Sequence, residues 1–234
     1  MKNFSSKMSE SDIAGIINKY SNSYKEHGYS PKALGWDKGR QDIRFEVLLS
    51  FFKCQGKSIL DIGCGFGDIN RVLSRQAISY NYTGIDLVSE LIVEGQRHYP
   101  QKNIRFLNAD FLEYSFTENF DIIVASGIFN QKFKSGENDY FVEKVFKKAW
   151  SLCTNGIAFD FLSDKVDYRH EHTYHNNPER ILGIGYTLSR NVALLNNYMP
   201  FEFCIYVGKD QSFDKADAIF KAYKLQRGDS NFYP

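Results

Sequence analysis

Residues 57–73 limit what this chain can fold into more than any other stretch: K-S-I-L-D-I, then G-C-G-F-G-D, then I-N-R-V-L. The first run, Lys57 to Ile62, reads as a short buried strand, and Ile69 to Leu73 opens a helical pattern. Between them Gly63, Gly65 and Gly67 alternate with other residues, so the backbone can turn sharply and approach a ligand with no side chain in the way. Asp61 stands at the strand's end, where it can accept hydrogen bonds. A strand, a glycine turn and a helix in this order form a receiving site for a nucleoside. The spacing argues against a dinucleotide: the sixth position of G-x-G-x-x-G is Asp68 instead of glycine. A carboxylate at the helix opening repels the pyrophosphate that would occupy its positive end.

The D-x-G-x-G-x-G pattern of Asp61 to Gly67 resembles the first motif of the class I S-adenosylmethionine (SAM) dependent methyltransferases. Three further strand ends fit that resemblance. Tyr82 to Leu87 (Y-T-G-I-D-L) reads as a second strand ending in Asp86, whose carboxylate offers two acceptor oxygens for the hydroxyls of a ribose. Leu87 then lies against the adenine. Ile104 to Asp110 reads as a third strand, and the resemblance implies that Asp110 caps the adenine amino group while Phe111 flanks the ring. Phe120 to Ser126 is a fourth strand, followed by Gly127 to Asn130, where the family brings cofactor and acceptor together. The resemblance covers roughly residues 55–208. It implies an α/β, Rossmann-like class I methyltransferase fold: a seven-stranded, mostly parallel sheet with an antiparallel last strand and an N-terminal helical lid. The cofactor is then SAM, with Asp61, Gly63 and Gly65 at its methionine end.

Its 234 residues suit one α/β domain with a modest extension. The division expected is a helical lid over 1–55, a SAM-binding domain over 56–210 and a polar tail over 211–234. A net charge of +1 and a pI near 7.6 provide no electrostatic pull toward nucleic acid or an anionic membrane. Lys144, Lys147 and Lys148 form the largest basic cluster, at the spacing of a solvated helix face. Cys54, Cys64, Cys153 and Cys204 are scattered with no C-x-x-C pair, which points away from a zinc site or disulfide framework and toward a reducing compartment. No apolar run reaches the length of a membrane span, and the N-terminus lacks a signal-peptide core. The expectation is a cytoplasmic enzyme with a small-molecule partner; the oligomeric state is not readable.

Ile13, Ile16, Ile17, Tyr20 and Tyr24 recur at helical spacing, with Ser11 as the predicted cap and Gly28 as the stop. Residues 29–39 carry turn signals around Trp36. A second helix is predicted from about Arg40 to Lys53, with Ile43, Val47, Leu48 and Phe51 inward. Beyond the glycine turn, helices are expected near 69–77, 89–98 and 138–152, and a fifth strand over Gly156 to Ser163. Asn177 and Pro178 read as the cap and first position of another helix. Asn191 to Asn196 and Phe203 to Val207 form a final pair of strands.

The chemistry follows from the cofactor. A sulfonium methyl is already activated, so the protein's task is to hold an acceptor in line and exclude water. A hydroxyl acceptor also needs a base within hydrogen-bond reach. Adenine amino methylation uses an [N/D]-P-P-[Y/F] tetrad where this chain has Ser126 to Phe129, and cytosine C5 chemistry needs a Pro-Cys nucleophile that this chain lacks. Catechol-type enzymes hold magnesium through an acid just after the fourth strand, where Asn130 stands here. By elimination the expected acceptor is a small molecule, such as a sugar or biosynthetic intermediate, methylated without a metal. His170, His172 and His175 form H-x-H-x-x-H beyond the fifth strand, and Tyr168, Tyr174 and His175 are candidates for substrate contacts, with Tyr174 and His175 as the catalytic pair. Ser126 joins the cofactor set. Trp36 either closes over the sulfonium or acceptor or anchors the N-terminal helices. Arg44 either meets the SAM carboxylate or pairs with a surface acid such as Glu46. Two other functions share these motifs: attack on another carbon of SAM, cyclising its aminoalkyl arm and releasing methylthioadenosine, and SAM binding without catalysis.

Overall fold

The computed structural model describes residues 8–36, 40–76, 78–213, 215–216, 218–221 and 223–224. The polar start of the chain and most of the expected tail lie outside the described residues. Helix α1 (Glu10–His27) and a 3-10 turn (Pro31–Leu34) lead to α2 (Gln41–Leu49). The sheet then alternates with helices: β1 (Lys57–Ile62), α3 (Ile69–Arg75), β2 (Tyr80–Asp86), α4 (Ser89–His98), β3 (Ile104–Asn108), β4 (Phe120–Ala125), α5 (Asn138–Leu152) and β5 (Cys153–Leu162). It closes with α6 (Pro178–Leu188), β6 (Val192–Leu195) and β7 (Glu202–Gly208). The seven strands lie in the order β3-β2-β1-β4-β5-β7-β6. β1 to β5 pair in parallel, and β7 runs antiparallel to both β5 and β6. This is a Rossmann-like methyltransferase sheet, with helices on both faces, which is why β1 and β4 read as continuous apolar runs.

Strand parity sorts the core into two layers. Leu60, Ile123, Phe159, Phe203 and Ile205 pack with α5 and α6 on one face. Ile59, Val124, Ala158 and Cys204 pack with α2 and α3 on the other. Asp61, Asp86, Ser126 and Asp160 share the parity of this second face. Because β7 is antiparallel, its first residue, Glu202, reaches the same edge as the ends of the parallel strands. The crossover order reverses at β1 and β4, so this edge is also where an open α/β sheet leaves a crevice.

The N-terminal helices differ from expectation in phase. Ser9, instead of Ser11, caps α1: its hydroxyl accepts from the Asp12 amide at 3.1 Å. In α2 the buried face is Gln41, Arg44, Phe45, Leu48 and Leu49, while Ile43 is exposed. A hydrophobic count leaves an arginine out of the buried stripe. Here Arg44 is neutralised by tertiary partners, so the helix turns its 41/44/45/48 side inward. α1 crosses the sheet edge on polar contacts at both ends. Asp12 Oδ1 accepts from the Lys134 amide at 2.7 Å, and the Tyr24 hydroxyl donates to Glu94 Oε2 on α4 at 2.8 Å.

Candidate functional site

A cavity of about 660 Å³ opens over the carboxyl ends of β1, β2 and β4. Asp61, Gly63, Gly65, Asp86 and Leu87 line one side, and Asp110, Phe111 and Ser126 continue it. Tyr20, Trp36 and Arg44 roof it from the N-terminal segment, and His170, His172 and Phe201 close the far end. The structure thus brings together every cofactor-site candidate read from the sequence. Tyr174 and His175 are not among the lining residues.

Each acid at a strand end has a defined partner. Asp61 is buried and accepts from the Tyr82 hydroxyl at 2.9 Å. Burial pushes its carboxyl up to about 7, and the nearby Asp86, Asp160 and Asp68 add to the rise while the Tyr82 hydrogen bond opposes it. Asp86 takes the Gly65 amide on Oδ2 and the Val88 amide on Oδ1, each at 2.9 Å. Burial raises its pKa, and these backbone donors pull it back. Burial and the Asp86 carboxylate push the Tyr20 phenol above it up to about 12. Asp110 Oδ1 accepts from the Leu112 amide at 2.8 Å. Asp68, which tells the glycine turn from a dinucleotide one, is buried and accepts from the hydroxyls of Tyr29 (2.7 Å) and Tyr99 (3.0 Å). Gly63 has φ +66, and a Cβ there would lie 2.2 Å from Ile128 Cγ2. The turn at β1 and the loop after β4 therefore touch, and only glycine fits between them.

Arg44 does not reach a surface acid. Its Nε donates to Glu202 Oε2 at 2.5 Å, its Nη2 pairs with the other oxygen, and its guanidinium lies over the Trp36 ring at 3.9 Å. Next to this pair, Asp160 accepts from Ser126 Oγ at 2.5 Å and from the Gly127 amide at 2.7 Å. Burial is the main cause that pushes the Asp160 carboxyl up to about 6, Arg44 opposes it, and Glu202 adds to it. Sequence reading missed Asp160 and Glu202. Asp160 left a signal, as an acid inside the apolar run G-I-A-F-D-F-L of β5. Glu202, at the opening of a strand, left none.

The H-x-H-x-x-H segment splits. The His175 ring is taken up on both sides, by the Ser163 carbonyl at 2.7 Å and Thr173 Oγ1 at 3.0 Å. The Tyr174 hydroxyl donates to Asp139 Oδ1 at 2.6 Å. Tyr168 is more than half exposed. His170 and His172 instead line the cavity, with ring centroids 5.6 Å apart and no hydrogen bond from either ring to any described residue. Their segment is held over the loop after β4: the Tyr174 amide donates to the Asn130 carbonyl at 2.9 Å, and the Lys132 amide to the His172 carbonyl at 3.2 Å. Among the described residues no three His, Cys, Asp or Glu side chains converge as a metal site.

The strand order, the glycine turn and the acids at successive strand ends define a nucleoside-binding methyltransferase domain, and comparison with known proteins agrees. Residues 59–155 match the family model described as a methyltransferase domain. A Mycobacterium tuberculosis protein named as a methyltransferase, Rv1506c, is 29% identical over 158 residues, covering 65% of this chain and 93% of that protein. The structure of DhpI in complex with S-adenosylhomocysteine superposes with a TM-score of 0.65 at 16% identity, covering 85% of this chain and 97% of that one. The SAM-bound magnesium protoporphyrin IX methyltransferase of Synechocystis PCC 6803 superposes at 0.60 with 12% identity, covering 88% and 99%. Residues 59–155 thus match a methyltransferase domain, and the fold around them is that of SAM-dependent methyltransferases. No described helix is long and apolar enough to cross a membrane.

Proposed function

We propose that this protein transfers a methyl group from SAM to a small-molecule acceptor held between the β4 loop and the segment 170–173, beneath a lid formed by the N-terminal helices. The observation that carries this reading is the single cavity that joins the Asp61, Asp86 and Asp110 strand ends to the His170 and His172 end. About 660 Å³ falls within the ~300–1,000 Å³ of small-molecule sites. When bound, SAM supplies an activated methyl on a sulfonium. Asp86 would hold the ribose: each carboxylate oxygen accepts one backbone N–H and keeps a lone pair for a hydroxyl. Asp110 and Phe111 would take the adenine, with Leu87 on the ring, and Asp61, Gly63 and Gly65 the methionine end. Trp36 and Ser126 would bound the sulfonium region. Arg44 would shape that wall instead of meeting the ligand carboxylate, because Glu202 occupies its fork. A hydroxyl acceptor would lose its proton to His170 or His172, since the His175 ring is already engaged. Asn130, in place of a magnesium-binding acid, spends its Oδ1 on the Leu162 amide at 2.9 Å.

The test is mass spectrometry of purified protein incubated with SAM, first alone and then with pooled hydroxylated and amine acceptors, with Asp86→Ala as control. SAM that survives alone and yields S-adenosylhomocysteine with an acceptor supports the reading. Methylthioadenosine formed by the wild type in the absence of acceptor would overturn it.

A further inference from the structure

Charge is unevenly distributed around the cavity. Of the four acids that line it, Asp61, Asp86 and Asp110 belong to the proposed cofactor end, and Arg44 neutralises Glu202. The acceptor end runs from α1 across the β4 loop to segment 170–173. No carboxylate lines it, while Lys19, His170 and His172 do. Ile16, Lys19 and Tyr20 meet the cavity together because residues three and four apart share one face of α1. Tyr20 stands above Asp86, and Lys19 carries the same helix face toward the acceptor.

Lys19 Nζ donates to Gln131 Oε1 at 2.7 Å and lies 5.2 Å from the centre of the Tyr20 ring, but it makes no ion pair with any described residue. An ammonium has three donors, and a neutral amide takes one of them. The side chain is exposed, so the others are open to a ligand. Crowding by the surrounding walls lowers the Lys19 pKa, with no carboxylate to oppose the fall. Gln131 ties this ammonium to the histidines. It forms an antiparallel bridge with Thr173, and the next amide, Lys132, donates to the His172 carbonyl at 3.2 Å. Leu162, Met199 and Phe201 give the same end an apolar wall. A ligand complementary to this end has an apolar body, a hydroxyl toward the imidazoles and an anionic group toward Lys19.

Resting on the methyl-transfer reading above, we infer that the acceptor is a hydroxylated acid, whose carboxylate or phosphate is bound by the Lys19 ammonium while its hydroxyl faces His170 and His172. In the transfer the hydroxyl oxygen gains the methyl, its proton passes to a histidine and S-adenosylhomocysteine is left. The acid group takes no part in that step. It selects the acceptor, since a neutral analogue leaves the ammonium with only Gln131 and a cationic one is repelled.

The experiment is titration calorimetry of the protein loaded with S-adenosylhomocysteine, using four probes on one ring: 3-hydroxybenzoate, 3-hydroxyphenyl phosphate, 3-hydroxybenzamide and 3-hydroxybenzylamine. The wild type should bind at least one of the two acids about tenfold more tightly than the amide, the scale of a hydrogen bond to a charged group. The carboxylate and phosphate arms tell which acid the site takes. Lys19→Met should erase the advantage, Lys19→Arg should keep most of it, and Lys19→Glu should turn the preference toward 3-hydroxybenzylamine. S-adenosylhomocysteine affinity, measured for each variant, reports that it is folded. Equal binding of acids and amide by the wild type, or an advantage that survives Lys19→Met, would overturn the inference. So would failure of both acids to bind. If Lys19→Met weakens acids and amide alike, Lys19 only fastens α1 to the β4 loop, and the inference fails. The underlying reading has separate outcomes. Lys19-dependent binding of an acid that SAM never methylates, followed by mass spectrometry, upholds the anion subsite and sinks the transfer reading. A wild type that does not bind S-adenosylhomocysteine sinks the cofactor reading.

Discussion

Replacing Gly63 with alanine tests whether the contact between the β1 turn and the β4 loop shapes the site. Two penalties add. At φ +66 a Cβ strains the backbone by about 1–2 kcal/mol. The same Cβ would sit 2.2 Å from Ile128 Cγ2, and relieving such overpacking costs about 1–3 kcal/mol. Gly63→Ala should therefore lose about 2–5 kcal/mol, or roughly 4–20 °C in Tm for a chain of this size. Gly56 separates the two terms. Its φ is +70, and a Cβ there meets nothing within 4 Å, so Gly56→Ala should show the backbone strain alone. Ile128→Ala removes the clashing methyl and leaves its Cβ at 3.5 Å, an ordinary contact. The double variant Gly63→Ala/Ile128→Ala should then be more stable than the sum of the single variants by about 1–3 kcal/mol. Urea unfolding of the wild type and these four variants supplies the numbers, and S-adenosylhomocysteine titration shows whether Ile128 is driven into the cavity it lines. A Gly63→Ala loss no larger than that of Gly56→Ala, or a coupling near zero, would refute the argument.

Two further outcomes follow from the buried charges. Arg44→Met leaves Glu202 without its partner in a buried site and should cost about 3–5 kcal/mol in urea unfolding, whereas Arg44→Met/Glu202→Leu should recover most of it; a double variant no better than the single one would show that the pair is not what holds this wall. Asp61 and Asp160 hold their protons more tightly folded, near 7 and 6, than an unfolded aspartate does near about 3.9. Their contribution to stability is therefore full below about pH 4 and lost as the pH rises through 6 to 7. Over that window Asp61→Asn should flatten the fall in stability by an amount of the order of a few kcal/mol, measured as urea midpoints at several pH values. A fall as steep in the variant as in the wild type would show that Asp61 does not carry it.

Much of the fold was legible because its signals are local. Periodicity placed α4 and α5 at their observed bounds, and Asn177 caps α6 with its side chain accepting from the Arg180 amide, as the N-P-E run suggested. The ends of β1, β2 and β4 announced themselves by an acid or serine closing an apolar run. α2 was harder to read, because which of its faces turns inward depends on Glu202, 158 residues away in the chain. The histidine segment was hard to read for a related reason. Spacing shows three imidazoles, but the Ser163 carbonyl, Thr173 and the cavity decide which of them are free.

The division between the two levels of structure has a physical basis. Sequence alone determined the order of strands and helices, the glycine turn and the identity of the acids at successive strand ends, since each depends on residues within a turn or a strand length. Tertiary structure decided which polar groups are satisfied. Arg44 is spent on Glu202, Asp68 on two tyrosines and Asp160 on the loop after β4, while Lys19 donates only to a neutral amide. A hydrogen bond between distant residues leaves no periodicity in the chain. The groups still free to meet a ligand can be identified only after the folded protein has used up the others.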